Sequence, residues 1–216
     1  MRKLLIAIMA LVMAFGLAAC GGGAEEEAIT VPDEIKAVRA DVEGIIGDFA
    51  EEITADGWGD DYAALLASGE ARDYEGYAAL EKVLSDYRVE SGATYIYALT
   101  PCVDGEIVYD VEAVDEVPFA ITVDGCEDPD DWGLEYEWEI QFSEAWAGSV
   151  ASARSAWDDS EEGDGSYLCW SAFAPVYDSE GNIVCIVGVD YPVTEELADF
   201  PEWNRDADEW CGYEGE

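Results

Sequence analysis

The sequence WSAFAPVYDSEGNIVCIVGVD, residues 170–190, contains two apolar segments joined by a short polar segment. β-Branched and aromatic residues are frequent in both apolar segments, which is typical of strands. The joining residues, 178–182, read DSEGN, and turns favour Asp, Ser, Gly and Asn. The stretch therefore predicts an antiparallel hairpin whose strands occupy residues 167–177 and 183–193.

Upstream of the hairpin, the sequence predicts three further strands. Residues 94–100 alternate in the period of two that a strand requires, and the Asp104-Gly105 turn leads to a returning strand at 107–114. A turn-rich excursion begins near Pro118, and residues 150–157 form the third strand. The excursion contains a short helix on which large apolar residues recur every four positions: Leu134, Trp138, Phe142 and Trp146.

Two amphipathic helices precede the strands. The first has Thr30 or Asp33 as its cap and Gly57 and Gly59 as its stop, and the second ends near Gly92. A looser stretch with Leu65 and Leu66 separates them. This order predicts an α+β fold. Short connections place the first and last strands side by side in a five-stranded antiparallel sheet, with the excursion covering one face.

The hairpin resembles the closing hairpin of extracytoplasmic Cache domains, a PAS-like family. Its residues fit the family pattern S-x-[YF]-x-P-[IV]-x-D-x-x-G-x-[IV], followed by [VI]-G-[VI]-D at 187–190. Residues 92–99 resemble the first strand of the family, and 143–148 resemble the segment before its third strand. The resemblance covers roughly 33–193. It implies a small-ligand sensing module with its pocket between the sheet and the excursion.

The N-terminus has the layout of a secretory signal. Met1-Arg2-Lys3 is positively charged, residues 4–15 are apolar, and Leu17-Ala18-Ala19-Cys20 resembles a bacterial lipobox. The resemblance implies a lipidated Cys20 on the extracytoplasmic face of a bacterial membrane; a plain cleaved signal or an uncleaved anchor is the alternative. The predicted organisation is a signal peptide (1–19), a lipidated tether (20–30), a Cache-like domain (31–193) and an acidic tail (194–216).

Charge and composition exclude several functions. The chain has 51 acidic residues, 9 basic residues and no histidine, so its net charge is −42. Nucleic acid and anionic lipid headgroups both need a basic surface and are excluded as partners. The lack of histidine excludes Ser-His-Asp and Cys-His catalysis. With no nucleophile elbow, P-loop or dinucleotide fingerprint, we expect no catalysis and no cofactor.

Two further features leave alternatives open. The acidic loop at 158–165 could hold calcium, but it lacks the EF-hand spacing, so a solvated turn is favoured and no metal is expected. Cys102 and Cys126 flank the excursion and could form a disulfide in an exported protein. The pairing among Cys102, Cys126, Cys169, Cys185 and Cys211 stays open, because connectivity cannot be read from sequence.

The resemblance implies that Asp190 points into the pocket, where it would meet the ammonium group of a ligand. The alternative is that Asp190 binds backbone amides at a strand end. The other candidates are Tyr97, Tyr109 and Trp170 as pocket walls, Trp132 as a lid and Arg154 as a clamp for a ligand carboxylate. Each candidate has an alternative interpretation. Tyr97, Tyr109 and Trp170 could be ordinary core aromatics, Trp132 could be an exposed loop residue, and Arg154 could form a surface ion pair.

These observations predict a lipid-anchored protein that binds a small organic solute without catalysis, an amine-bearing solute being one candidate. It would present the solute to a membrane receptor or transporter, or sequester it. The alternative is an envelope interaction module that docks on such a receptor or transporter and whose pocket is vestigial. A divalent-metal binder is a third hypothesis.

Overall fold

Three helices precede the sheet in the computed structural model, which describes residues 32–108, 114–157, 167–193 and 196. They are α1 (Asp33–Ala55), α2 (Trp58–Ser68) and α3 (Tyr77–Ser91). α1 buries the apolar stripe that the sequence predicts, and α3 ends at Gly92, whose φ of +77° suits glycine. None of the helices in the described ranges has both the length and the apolar character that a membrane span needs.

Helix α2 corrects the interpretation of residues 58–68 as a looser stretch. Trp58, Tyr62 and Leu65 recur at helical spacing and are buried on one side of α2. The Tyr62 hydroxyl is fully buried and hydrogen-bonds to the hydroxyls of Thr100 and Thr122 on the sheet. α2 is therefore a packed element that joins the helical layer to the sheet.

The described residues contain seven strands in one antiparallel sheet. Their order is β4-β3-β1-β7-β6-β5, with β2 paired to β1. As predicted, the first and last long strands, β1 and β7, are neighbours. The strands are β1 (Tyr95–Val103), β2 (Glu106–Ile107), β3 (Phe119–Asp124), β4 (Glu135–Tyr136), β5 (Ala151–Trp157), β6 (Tyr167–Tyr177) and β7 (Ile183–Pro192). The predicted α+β class and the antiparallel sheet are confirmed, but the sheet has seven strands among the described residues and not the five that were predicted.

The returning strand predicted at 107–114 is described only at its start, because residues 109–113 lie outside the described residues. The Asp104-Gly105 turn forms, with φ of +53° and +80°, and Glu106–Ile107 pairs with β1 after it. The long neighbour of β1 on that side is β3, in a segment that the sequence analysis assigned to the excursion. β3 is fully buried, and its apolar, β-branched sequence FAITVD lies between Pro118 and Gly125.

Helix α4 (Ile140–Trp146) is shorter than the predicted excursion helix. Leu134 precedes β4 and is exposed, whereas Phe142 and Trp146 are buried in α4. Phe142 packs edge-on against Phe173 of β6, with ring centroids 4.9 Å apart. The excursion therefore covers one face of the sheet, as predicted, and Tyr62 of α2 packs on the other.

The disulfide between Cys102 and Cys126 does not form, and both are free thiols. The Cys126 thiol lies 3.7 Å from the carbonyl oxygen of Ile96, six residues before Cys102 on β1. Six residues of strand span about 20 Å. Two bridged cysteines need Cα atoms within about 7 Å of each other, so the two ends of β1 keep these thiols apart.

Candidate ligand site at Asp190

Strand register brings Asp190 to the face of the sheet that α4 covers. Asp190 of β7 lies opposite Tyr95 of β1 and Ser171 of β6. In the next row along the sheet, Gly188 lies between Tyr97 and Phe173. Residues two apart on a strand share a face, so these two rows form one surface.

Two neutral hydroxyls bind the Asp190 carboxylate. Ser171 Oγ donates a hydrogen bond of 2.6 Å to Oδ1. Tyr97 Oη lies 3.3 Å from Oδ1 and 3.4 Å from Oδ2 and donates to the carboxylate. None of the ion pairs among the described side chains includes Asp190. The carboxylate therefore has hydrogen-bond donors but no cationic partner among these side chains.

The surroundings of Asp190 disfavour its ionised form. Burial raises the pKa of Asp190 to about 6, although the hydrogen bonds from Ser171 and Tyr97 lower it. Desolvation, and then the charge of Asp190, raise the pKa of Glu139. Burial and the same charge raise the pKa of Cys169 to about 11. The site is thus a negatively charged and partly desolvated position, and a bound cation would stabilise it.

Two tyrosines flank the carboxylate. The rings of Tyr97 and Tyr136 are stacked, with centroids 6.3 Å apart and an angle of 9° between their planes. Tyr136 Oη donates to Asp130 Oδ2 at 3.2 Å, and Tyr136 keeps contact with solvent. Aromatic faces beside two carboxylates can attract a cation through both charge and ring quadrupole.

Gly188 leaves no empty space beside Asp190. A Cβ there would lie 2.6 Å from Cε2 of Tyr97 and 2.8 Å from Cε1 of Phe173, because these two rings fill the position. The position beside Gly188 is therefore occupied by the protein's own side chains. Of the other residues near Asp190, Glu139 is exposed and Tyr136 is half-buried.

Trp170 does not line the same surface as Asp190. Its Nε1 donates to Ser152 Oγ at 3.0 Å, and Ser152 in turn donates to Glu43 of α1 at 2.6 Å. Because Ser171 is the residue opposite Asp190, its neighbour Trp170 points to the other face, against α1. Trp170 thus belongs to the contact between the sheet and α1. This corrects the expectation that it walls the Asp190 pocket.

The remaining candidates lie elsewhere or outside the described residues. Trp132 packs near Tyr77 of α3, with ring centroids 6.3 Å apart, so its ring lies against the helical layer. Arg154 lies in register with Trp170, and its side chain is outside the described part, as is all of Tyr109. The structure thus brings together Asp190 and Tyr97 from the predicted set.

Three residues at the site were missed by sequence reasoning. Ser171 stands in the quoted family pattern, but the pattern gave it no role. Tyr136 and Glu139 come from the excursion, and no spacing relates them to β7.

Gln141, in the first turn of α4, is buried, and its Oε1 has no hydrogen-bond partner among the described residues.

The described residues contain no group of three or more His, Cys, Asp or Glu side chains that could hold a metal ion. The acidic loop at 158–165, for which calcium was considered, lies outside the described residues. The same is true of Cys20 and of Cys211.

Comparison with known proteins gives structural similarity only. No protein-family model and no curated protein matches the chain. The ligand-binding domain of the Campylobacter jejuni chemoreceptor Tlp3, in complex with 4-methylisoleucine, is similar with 12% identity and a TM-score of 0.47, over 77% of this chain and 56% of that domain. The periplasmic domain of RsbU from Chlamydia trachomatis has 13% identity and a TM-score of 0.35, over 77% and 56%.

A third similar structure is the sensor domain of the V. cholerae histidine kinase DctB, with 12% identity and a TM-score of 0.37, over 80% of this chain and 61% of that domain. The chain therefore spans less than two thirds of the length of these three domains. None of the comparisons assigns a ligand to this chain.

Proposed function

We propose that the chain is a lipid-anchored, extracytoplasmic, Cache-type module that binds a small amine-bearing solute without catalysis. The observation that carries this proposal is the Asp190 carboxylate, held by two neutral hydroxyls beside the stacked rings of Tyr97 and Tyr136. In the described part of the chain, the donors to the Asp190 carboxylate are these side-chain hydroxyls and not backbone amides, which the alternative role for Asp190 would require.

An ammonium group suits this site for three physical reasons. An ammonium group is a cationic partner for Asp190, which has none among the described side chains. A charge-assisted hydrogen bond between the two contributes about 1.5–3 kcal/mol. The ammonium group offsets the charge of Asp190, which adds to desolvation in raising the pKa of Glu139. It also gains attraction from an aromatic face.

The test is calorimetric titration of the full chain with small primary amines and amino acids at pH 7.5. Asp190→Asn should weaken the binding of an amine by ten- to a hundredfold, because one charge-assisted hydrogen bond is lost. Affinity of the unmodified chain should also fall below pH 6, where Asp190 takes up a proton.

The matched control is Asp178→Asn, the same change in the exposed turn of the same hairpin, where Asp178 accepts from Asn182. It should leave affinity within twofold of the unmodified chain. Equal affinities for Asp190→Asn and the unmodified chain would exclude Asp190 from the ligand site.

A second candidate function is favoured by the rings over Gly188. Tyr97 and Phe173 fill that position, as they would in an interaction module with a vestigial pocket. Such a module would dock on a membrane receptor or transporter and bind no solute. Absence of any heat or melting-temperature change with amines, amino acids and carboxylates at millimolar concentration would favour this alternative.

Membrane attachment at Cys20 is tested separately. Cys20→Ser should abolish incorporation of a labelled fatty acid and release the protein from the membrane fraction, because the sulfur that carries the lipid is gone. Cys126→Ser removes a different thiol and should leave both properties unchanged. Retained acylation in Cys20→Ser would contradict the lipoprotein proposal, whatever the outcome of the amine titration.

A further inference from the structure

A groove of about 370 Å³ lies between α1 and α3, on the helical layer and apart from the Asp190 site. Its α1 side is formed by Phe49, Glu52 and Ile53, and by Asp56, which directly follows the last residue of α1. Its α3 side runs from Ala79 to Glu90. The helix rises about 16 Å from Ala79 to Glu90, so the groove is elongated.

The floor of the groove is apolar and aromatic. Phe49 and Tyr87 stack across it, with ring centroids 3.8 Å apart and 18° between their planes. Tyr87 Oη donates to the Ile45 carbonyl at 2.8 Å, and Trp58 Nε1 donates to the Leu80 carbonyl at 3.3 Å. The Tyr87 hydroxyl and the Trp58 N–H thus both donate to backbone carbonyls. The surface that remains for a ligand consists of the apolar ring faces and the half-exposed side chain of Val83.

The lips of the groove are negatively charged along its length. Its lining includes five exposed carboxylates, four on the three helices and one directly after α1, namely Glu52, Asp61, Asp86, Glu90 and Asp56. Asp86 pairs with Lys82 at 2.5 Å, and no ion pair among the described side chains includes the other four. Burial, and then the charges of Asp48, Glu52 and Glu90, raise the pKa of Tyr87.

We propose that this groove binds a linear aliphatic oligoamine. Methylene segments would lie on the apolar floor, and successive ammonium groups would meet carboxylates on both lips. This charge complementarity follows the length of the groove, so a ligand with several separated cations fits better than a monoamine. A whole helix about 10 Å wide and 16 Å long would need roughly 1,200 Å³, which is more than the groove provides.

The test titrates the full chain with spermidine in 150 mM salt, where long-range attraction to the net charge is largely screened. A one-to-one complex is expected. Val83→Lys places a tethered ammonium group in the groove and should weaken binding at least tenfold. Val89→Lys makes the same change on the same helix at a position that is 72% exposed and outside the groove lining, and should weaken binding less than twofold.

A second pair of variants removes charge. Glu52→Gln with Asp56→Asn should weaken spermidine binding at least tenfold. Glu34→Gln with Asp41→Asn removes the same charge from exposed positions of α1 outside the groove, and should have less than a twofold effect. Unchanged melting curves show that each variant is folded.

Three results would overturn the proposal. Equal weakening by Val83→Lys and Val89→Lys would mean attraction to the overall charge. Equal binding of Mg²⁺ and spermidine at the same ionic strength would mean a diffuse counterion layer. Loss of spermidine binding in Asp190→Asn, with the groove variants unaffected, would place the amine at the other site. Retained spermidine binding in Asp190→Asn supports the groove even if the proposed function fails.

Discussion

Asp190→Asn is expected to increase the free energy of unfolding of the ligand-free chain by about 2–3 kcal/mol at pH 7.5. Burial raises the pKa of Asp190 to about 6 in the folded chain, against roughly 3.9 for an unperturbed aspartate. This difference in pKa lowers the free energy of unfolding by about 3 kcal/mol when the carboxyl ionises. Asparagine has the same shape as aspartate but no charge, so the variant does not lose this stability.

The pH dependence of this effect has a defined sign. Between about pH 4 and pH 6, the folded chain binds the Asp190 proton more tightly than the unfolded chain does. The corresponding stability is fully present below the unfolded pKa and is lost as pH rises through about 6. The stability difference between Asp190→Asn and the unmodified chain should therefore be near zero at pH 4 and reach its full size above pH 6.5.

Urea denaturation of both proteins at several pH values, in 0.5 M salt to screen the other carboxylates, measures this difference. Asp124→Asn is the control, because Asp124 is also buried but accepts backbone N–H groups of Cys126 and Asp130 at 2.9 and 2.8 Å. It should destabilise by about 1 kcal/mol or more, since an acceptor is lost. A similar loss of stability in Asp190→Asn would mean that the Asp190 carboxylate is a structural hydrogen-bond acceptor and not a ligand-binding group.

Local sequence was sufficient to predict the hairpin of β6 and β7. Both strands are continuous apolar segments, and the turn between them is stabilised by its own residues: Asp178 accepts from the backbone N–H groups of Glu180 and Asn182. Such short-range interactions leave a direct pattern in the sequence. The helices α1 and α3 were predicted for the same reason, from their apolar periodicity.

β3 was missed because its identity depends on distant residues. It pairs with β1, with Thr100 opposite Ala120, and its own flanks are Pro118 and Gly125, which are typical of turns. Pairing between segments about twenty residues apart is set by the whole sheet and not by either segment alone.

The composition of the site was only partly predictable for a related reason. Asp190 and Tyr97 share a face because of the register between β1 and β7, and a shift of one residue would place them on opposite faces. Adjacent residues of a strand point to opposite faces, and Ser171 is the residue opposite Asp190, so Trp170 lies on the other face of the sheet. Tyr136 and Glu139 reach the site through the path of the excursion, which no periodicity describes.

Gly59→Ala is expected to lower the free energy of unfolding by about 3 kcal/mol, although alanine is the better helix former. Gly59 lies in the first turn of α2, and a Cβ there would fall onto the carbonyl oxygen of Tyr177 and within 2.7 Å of its carbonyl carbon. Backbone cannot move aside as a flexible side chain can. α2 would have to shift away from β6, which would weaken the hydrogen bonds between Tyr62 and the sheet threonines.

Chemical denaturation of Gly59→Ala beside Gly44→Ala tests this close approach. Gly44 is an exposed interior residue of α1, and no atom lies within 4 Å of a Cβ built there. Gly44→Ala should therefore stabilise the chain by about 0.5–1 kcal/mol through helix propensity alone. The two substitutions are chemically identical, so opposite signs can come only from the contact with Tyr177. Equal stabilisation by both would contradict the packing of α2 against the end of β6, and with it the burial of Tyr62.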